Sequence, residues 1–587
     1  MTTIVRMAKR VKKQQALMFL GAVIFIAGQV WFSLKIPDYM ETITRLVKTP
    51  DSEISEIYRN GGMMLACAGA GIVSAMIASW FSVHVAASFS RDLRTDIYDK
   101  VESFSMNEID SFSTASLITR STNDVTQIQN FMCRGLQHLI KAPFMVVWAL
   151  IKISGRHWQW TVLTVCSIAV MTCIVLFMML YAHPKLRKRQ AYTDDLSRDL
   201  RENLTGIRVI RAYNAEPYQE AKFDQANRIL TDNERKAHHA MGLMRPTIKF
   251  VNNALMVGIY LVGAYLIASS DPGDQIAIFS DMVVYSSYAA ILIQAFMDLN
   301  MAFNQYPRAA VSAERILQVL DTKTDVTDGT DSEPLQGKGT LEFQHVFFRY
   351  PGARSDVLHD ISFKVESGKT CAIIGSTGSG KSTLINLIPR LYDPQAGKIL
   401  IDGVDIRELS LKHLKDTIGY ASQKAVLLRG TVASNVAYGD NDQLPRTDAD
   451  ITEALATAQA LPFVERMDHG IDSEISRGGT SVSGGQRQRL SIARSICWHP
   501  QIYLFDDTFS ALDFETDRRL RMALSQNHHD VTTLLVAQRI GTIRDADNIL
   551  VLDQGRIVGQ GTHSQLMHTC KIYQEIARTQ LSEQELA

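Results

Sequence analysis

The sequence predicts a multidomain chain: an all-α six-helix transmembrane domain followed by an α/β domain of the P-loop class. Three observations carry this prediction. Six long apolar runs crowd residues 1–320, a linker rich in Asp, Thr and Gly fills 321–339, and within 340–587 an apolar strand runs directly into a glycine-rich loop. The 587-residue length is itself too great for one core.

A bilayer core takes about 20 mostly apolar residues per helix. The six qualifying segments are Ala16–Leu34, Met63–Val85, Leu139–Ile153, Trp160–Ala182, Phe250–Ser269 and Ile276–Phe303. The third is short, with Lys152 near its end, where the side chain can snorkel to the interface. The first is too long for a cleaved signal peptide, and Lys35-Ile-Pro-Asp38 follows it instead of a small-residue cleavage site.

Loop charge sets the orientation. Arg6, Lys9, Arg10, Lys12 and Lys13 precede the first span, and Lys185, Arg187, Lys188 and Arg189 follow the fourth. Positive flanks stay in the cytoplasm, which puts the N-terminus and residues 340–587 there, at the plasma membrane. Short turns are expected outside, at Gly155–Gln159 and around Asp271-Pro272-Gly273. The charged stretches 86–138 and 183–249 keep a helical period, so the spans are expected to continue well beyond the bilayer.

Polar residues inside spans are functional candidates. The sixth span holds Asp281, Tyr285, Tyr288, Gln294 and Asp298. Tyr285, Tyr288, Gln294 and Phe296 fit either the wall of a cavity for bulky amphipathic compounds or plain helix–helix packing. The formal net charge of zero argues against nucleic acid as a partner. The seven cysteines are scattered without a CxxC pair and read as reduced packing residues.

In the second half, Leu341–Arg349 reads as a strand, and Thr370–Ile374 is an apolar run suited to a buried parallel strand. It enters Gly375-Ser376-Thr377-Gly378-Ser379-Gly380-Lys381-Ser382-Thr383, a complete G-x-x-x-x-G-K-[ST] loop. Its glycines let main-chain N–H groups face phosphates, and a predicted helix at Leu384–Leu391 adds its dipole. Lys381 is placed to neutralise β/γ-phosphates and Ser382 to reach Mg²⁺. A second buried strand, Ile502–Asp506, ends in a carboxylate placed to hold Mg²⁺ through water. Together the two motifs specify a P-loop NTPase.

Between them lies Ser483-Gly484-Gly485-Gln486-Arg487-Gln488-Arg489, which resembles the signature sequence of ATP-binding cassette proteins. The resemblance covers nearly the whole chain and implies one half of an exporter of the bacterial multidrug type. It implies that Tyr350 stacks on adenine, that Gln423 reaches Mg²⁺ and the membrane domain, and that Asp513, in Ser510-Ala-Leu-Asp513, links two ATP sites. It also implies a partner half-transporter. Two such domains close over two ATP molecules, each lending Ser483–Gln486 or its equivalent to the other's phosphate loop. Phe104–Phe112 and Ile210–Glu216 stand where coupling helices would lie. With no domain before the first span, a built-in peptide-processing protease is not expected.

Three positions depart from the family pattern. Asp507 stands where the water-polarising glutamate is usual, Gln538 replaces the switch histidine, and Arg477 replaces a glutamate upstream of the signature. Glutamine can hydrogen-bond a γ-phosphate but cannot become a cation. The first two changes fall in one ATP site, while the signature and Asp513, which serve the other, are intact. This asymmetry predicts a heterodimer in which this chain's own site binds ATP and turns it over slowly. The expected cargo is a hydrophobic or amphipathic small molecule such as a drug, with membrane lipid as a further partner. The alternatives are a homodimeric exporter, a lipid or peptide transporter, and a non-pumping ATP-gated regulatory subunit.

Overall fold

The computed structural model describes residues 2–48, 53–154, 158–271, 274–330, 337–439 and 445–581. Of the expected outer turns, residues 155–157 and Pro272-Gly273 lie outside the described residues. Two compact units emerge: one comprises Met1–Tyr98 and Ile118–Leu320, the other Asp99–Leu117 and Asp321–Ala587.

The first unit is all-α. Its main helices are α1 (Lys13–Lys48), α2 (Ile54–Glu102), α3 (Leu136–Ser154), α4 (Trp158–Thr205), α5 (Glu216–Ala268) and α6 (Gln275–Asp321), with the last residues of α2 belonging to the second unit. Among the described residues six helical stretches are long and apolar enough to cross a membrane, and each coincides with an expected span. α5 has 53 residues and α6 has 47. At 1.5 Å per residue both are about 70–80 Å long, more than twice a bilayer core of roughly 30 Å. The charged stretches are helical continuations of the spans, interrupted at residues 103–105 and 113 in the first and at 206 and 213–215 in the second. Beyond the apolar segments, α4 and α5 run antiparallel and are stitched by Lys222 to Asp199 and Glu202 (3.1 and 3.0 Å), Asn233 to the Lys185 carbonyl (2.9 Å) and Arg189 to Glu234 (2.8 Å).

The sixth span shows why its polar residues are there. Tyr285 and Tyr288 are fully buried. The Tyr285 hydroxyl donates to Thr161 Oγ1 at 3.1 Å, and that of Tyr288 to the Leu34 carbonyl at 3.1 Å and to Asp38 Oδ1 at 2.5 Å. Packing, not a cavity wall, accounts for these two tyrosines. Gln294 is exposed and donates to Asp298 at 3.2 Å, so the polar face of the span divides one turn further along.

The second unit is α/β. A six-stranded sheet runs in the order β12-β11-β3-β10-β9-β6, formed by β3 (Thr370–Gly375), β6 (Ile418–Ala421), β9 (Ile502–Asp506), β10 (Thr532–Val536), β11 (Asn548–Asp553) and β12 (Arg556–Gly561). It is parallel except for the β11–β12 hairpin. Alternate residues of β3 feed opposite cores: Cys371 and Ile373 on one face, Ala372 and Ile374 on the other. An antiparallel sheet of β1 (Leu341–Phe348), β2 (Leu358–Val365), β4 (Ala396–Ile401) and β5 (Val404–Asp405) accompanies it, with a two-stranded ribbon of β7 (Gly430–Thr431) and β8 (Glu474–Ile475). The helix after the glycine-rich loop, α7 (Lys381–Leu387), stops short of the expected Leu391. Pro389 disfavours a helical residue before it, and Arg390 turns into the left-handed region. All seven cysteines are free, and four of them are buried.

Within this unit the short helix Met106–Phe112 is held by residues of the α/β fold. Met106 packs on the core beneath β1, the Tyr392 hydroxyl donates to Asp110 Oδ2 at 3.2 Å, and Glu108 Oε1 accepts from the Asp325 main chain at 3.1 Å.

Candidate functional site

The site forms where β3, β9 and β10 end side by side. Ile373 pairs with Val536, and Val536 with Asp506, so the glycine-rich loop, Asp506-Asp507 and Gln538 emerge from one edge of the sheet. Between β3 and α7 the loop turns through left-handed positions at Gly378 (φ 85°) and Gly380 (φ 100°). A Cβ on Gly375 would come within 2.0 Å of the Leu552 carbonyl oxygen, so only glycine lets the chain leave β3 there.

Loop and strand ends enclose a cavity of about 360 Å³ lined by Thr377, Gly378, Gly380, Lys381, Ser382 and Thr383 from the loop, with Gln423, Asp507 and Gln538 opposite. Val357 and Val536 complete the wall. Neither was expected from sequence, because an aliphatic residue carries no signature of a nucleotide site. Lys381 arches back over the loop, donating to the carbonyls of Gly375 (2.9 Å) and Ser376 (2.7 Å). Burial lowers the pKa of its ammonium, opposed by the nearby Asp507 and Asp506 charges.

The carboxylates divide the work. Asp506 is buried and accepts from Ser382 Oγ at 2.9 Å. Burial pushes its carboxyl above the usual range; the Ser382 hydrogen bond opposes this and the neighbouring Asp507 charge adds to it. Asp507, also buried, sits in the left-handed region at φ 49°. Its Oδ2 accepts from Gln538 Nε2 at 2.7 Å and from Gln423 Nε2 at 3.2 Å.

This donor set fits Mg²⁺. The described residues contain no cluster of three or more His, Cys, Asp or Glu that would make an all-protein metal cage. They do offer one hydroxyl and one buried carboxylate in contact, beside a phosphate-type loop. Mg²⁺ is commonly bound in this way, with one or two protein oxygens and the rest from phosphates and water.

Residues 16–296 match the family described as ABC transporter transmembrane region, and residues 358–510 that described as ABC transporter. An uncharacterized ABC transporter ATP-binding protein of Mycobacterium tuberculosis is 37% identical over 90% of both chains. The chain belongs to the ABC transporter family. The ATP-dependent lipid A-core flippase of Aromatoleum aromaticum is 32% identical over 97% of this chain and 94% of its own, and that of Pseudomonas putida is 33% identical over 86% and 82%. A solved bacterial Atm1-family ABC exporter with ATP bound matches in fold at a TM-score of 0.80 and 23% identity, covering 97% of this chain and 99% of that one. The protein is thus an ABC exporter half-transporter, a multi-pass membrane protein with a cytoplasmic ATP-binding domain, and its ATPase is coupled to transport. ABC exporters work as dimers.

The remaining expected site residues of this ABC half-transporter do not line the cavity. Ser483 caps α8 (Gly484–Cys497) in a reciprocal box: its Oγ accepts from Gln486 N at 3.3 Å, and Gln486 Oε1 accepts from Ser483 N at 2.8 Å. Ser483 and Gly484 are exposed, and the Cβ position of Gly485 abuts only the Ala511 carbonyl, at 3.3 Å. Asp513 caps α9 (Phe514–Asn527), and hydrogen bonds from Thr516 hold its carboxyl below the usual range. Tyr350 packs edge-on against Tyr392 and bonds through its hydroxyl to Thr383 Oγ1 at 3.0 Å. Arg477 is exposed.

Proposed function

We propose that this half-transporter is the subunit of a heterodimeric exporter that carries the weakly hydrolysing ATP site, and that its partner supplies the fast one. The observation that carries this reading is the environment of Asp507. The residue at the water-polarising position is one methylene shorter than glutamate, and two amides hold its Oδ2. Neither amide can accept or relay a proton as an imidazole can. A misplacement of about 1 Å can cost roughly 10²-fold in rate.

The roles follow from position. Lys381 exchanges its contacts with the Gly375 and Ser376 carbonyls for the β/γ-phosphates, and the loop N–H groups cradle them. Ser382 and Asp506, with Gln423 alongside, hold Mg²⁺, whose part is to neutralise phosphate charge. Tyr350 supports adenine. Ser483, Gly484 and Asp513, which are exposed, and the half-buried Gly485-Gln486 beside them are ready to complete the partner's site. Met106–Phe112 conveys closure of the ATP-binding domain to the spans. Around the second coupling stretch, Val209, Tyr213 and Tyr218 are each more than 60% exposed, an apolar surface that favours a second chain over it.

The cargo we assign is an amphipathic small molecule. Within that class a lipid is favoured by the two relatives named as lipid A-core flippases, each 32–33% identical to this chain.

The test restores the usual pair, Asp507→Glu with Gln538→His, in the chain reconstituted with its partner. The reading expects turnover at this site to rise on the order of tenfold or more. Glutamate tolerates the left-handed backbone at 507 less well than aspartate, which limits the gain. Unchanged turnover would contradict the reading.

A further inference from the structure

We infer that Gln580, at the end of the C-terminal helix, is a positioning residue for ATP hydrolysis that acts through the main chain of Gln538. The inference deepens the reading of the impaired site and rests on it only for the rate expected. Gln580 is the last residue of α10 (Lys571–Gln580). Its Nε2 donates to the Gln538 carbonyl at 2.8 Å, and its Oε1 accepts from Ile540 N at 2.8 Å. One side-chain amide thus satisfies a C=O and an N–H two residues apart, as a neighbouring strand would.

The clamp is itself held firmly. Tyr573, Ala577 and Gln580 recur at helical spacing on one face of α10. Tyr573 and Ala577 are fully buried in the same core as Ile540 and Ile543, and the Tyr573 hydroxyl lies 2.7 Å from His563 Nδ1. On the other side of the segment, Arg539 reaches the Ser510 carbonyl at 3.4 Å. The main chain of residues 538–540 is therefore fixed from α10, while the Gln538 side chain is left to engage Asp507 Oδ2 at 2.7 Å. Gln580 does not line the ATP cavity, so its effect on the reaction must pass through Gln538.

The substitution Gln580→Glu separates the two bonds: the acceptor for Ile540 N–H survives, and the donor to the Gln538 carbonyl becomes a repelling carboxylate. Single-turnover ATP hydrolysis and ATP binding are measured on the full chain in nanodiscs, in wild-type and Gln538→Ala backgrounds, with Gln580→Ala as a second variant. The expected result is a rate loss of about 3- to 10-fold for either Gln580 variant, no more than Gln538→Ala itself costs, an unchanged Kd for ATP, and no further loss once Gln538 is alanine. Equal losses in both backgrounds, or a weakened Kd with the rate unaltered, would mean that Gln580 is only a structural cap. A chain that completes no turnover would also overturn the inference, while leaving the impaired-site reading standing. Fast turnover would sink that reading and leave the cycle as informative as before.

Discussion

Gln538 Nε2 lies 2.7 Å from Asp507 Oδ2, and Gln423 Nε2 reaches the same oxygen at 3.2 Å. Two neutral amides hold the carboxylate next to the phosphate loop. Truncating Gln538→Ala removes the shorter bond and frees Asp507 to leave its position. Single-turnover hydrolysis should fall about 3- to 10-fold, while ATP affinity changes little, because Lys381 and the loop amides are untouched. Rapid-quench measurements beside equilibrium binding would check both halves.

Asp506 gives a prediction in which stability and function part ways. Its carboxyl is pushed up by burial, so the fold favours the protonated form. A raised folded pKa contributes stability below the unfolded pKa, and that contribution is lost as pH rises through the folded value. At neutral pH the ionised group therefore costs the nucleotide-free chain stability. Asp506→Asn should raise Tm without nucleotide and abolish the Mg²⁺-dependent part of ATP binding. Melting curves with and without Mg-ATP, taken from pH 5 to 8, would show the wild-type chain losing its Mg²⁺ dependence at a higher pH than an ordinary aspartate allows.

Tyr392→Phe deletes the hydroxyl that donates to Asp110 at 3.2 Å. Burial, with the Asp110 charge, raises the phenol's pKa, so it remains a donor across the physiological range. The substitution should cost about 1 kcal/mol at the docked helix Met106–Phe112. ATP binding should persist while its coupling to transport weakens, which a proteoliposome assay following hydrolysis and cargo together would detect.

Tyr288→Phe probes the spans. Its hydroxyl is buried on Asp38 and the Leu34 carbonyl, so its loss should destabilise the membrane unit by about 1–3 kcal/mol and leave cargo selectivity unchanged. A thermal-shift assay in detergent reads the first, and competition between cargo molecules reads the second.

Much of this was legible in the sequence, for identifiable reasons. The six spans are long apolar runs, and the bilayer accepts few other readings of such runs. The phosphate loop is a contiguous motif whose strand and helix flank it in sequence. Tyr285 and Tyr288 were ambiguous because an aromatic hydroxyl in a span serves a cavity or a buried hydrogen bond equally well. Only the positions of Thr161, Leu34 and Asp38 decide between them. Gln580 carries no sequence signal at all: its partners lie 40 and 42 residues away and are main-chain groups. The helix α7 ends at Leu387, short of Leu391, because Pro389 disfavours a helical residue before it.

The central claim is that this chain's own site holds ATP without turning it over quickly. The most direct measurement is steady-state ATPase activity of the chain purified alone in lipid nanodiscs, with ATP binding followed in parallel. Tight binding with almost no turnover is the predicted result. Brisk turnover would contradict the account, since Asp507 and Gln538 would then suffice for hydrolysis and the chain would work as a homodimeric pump.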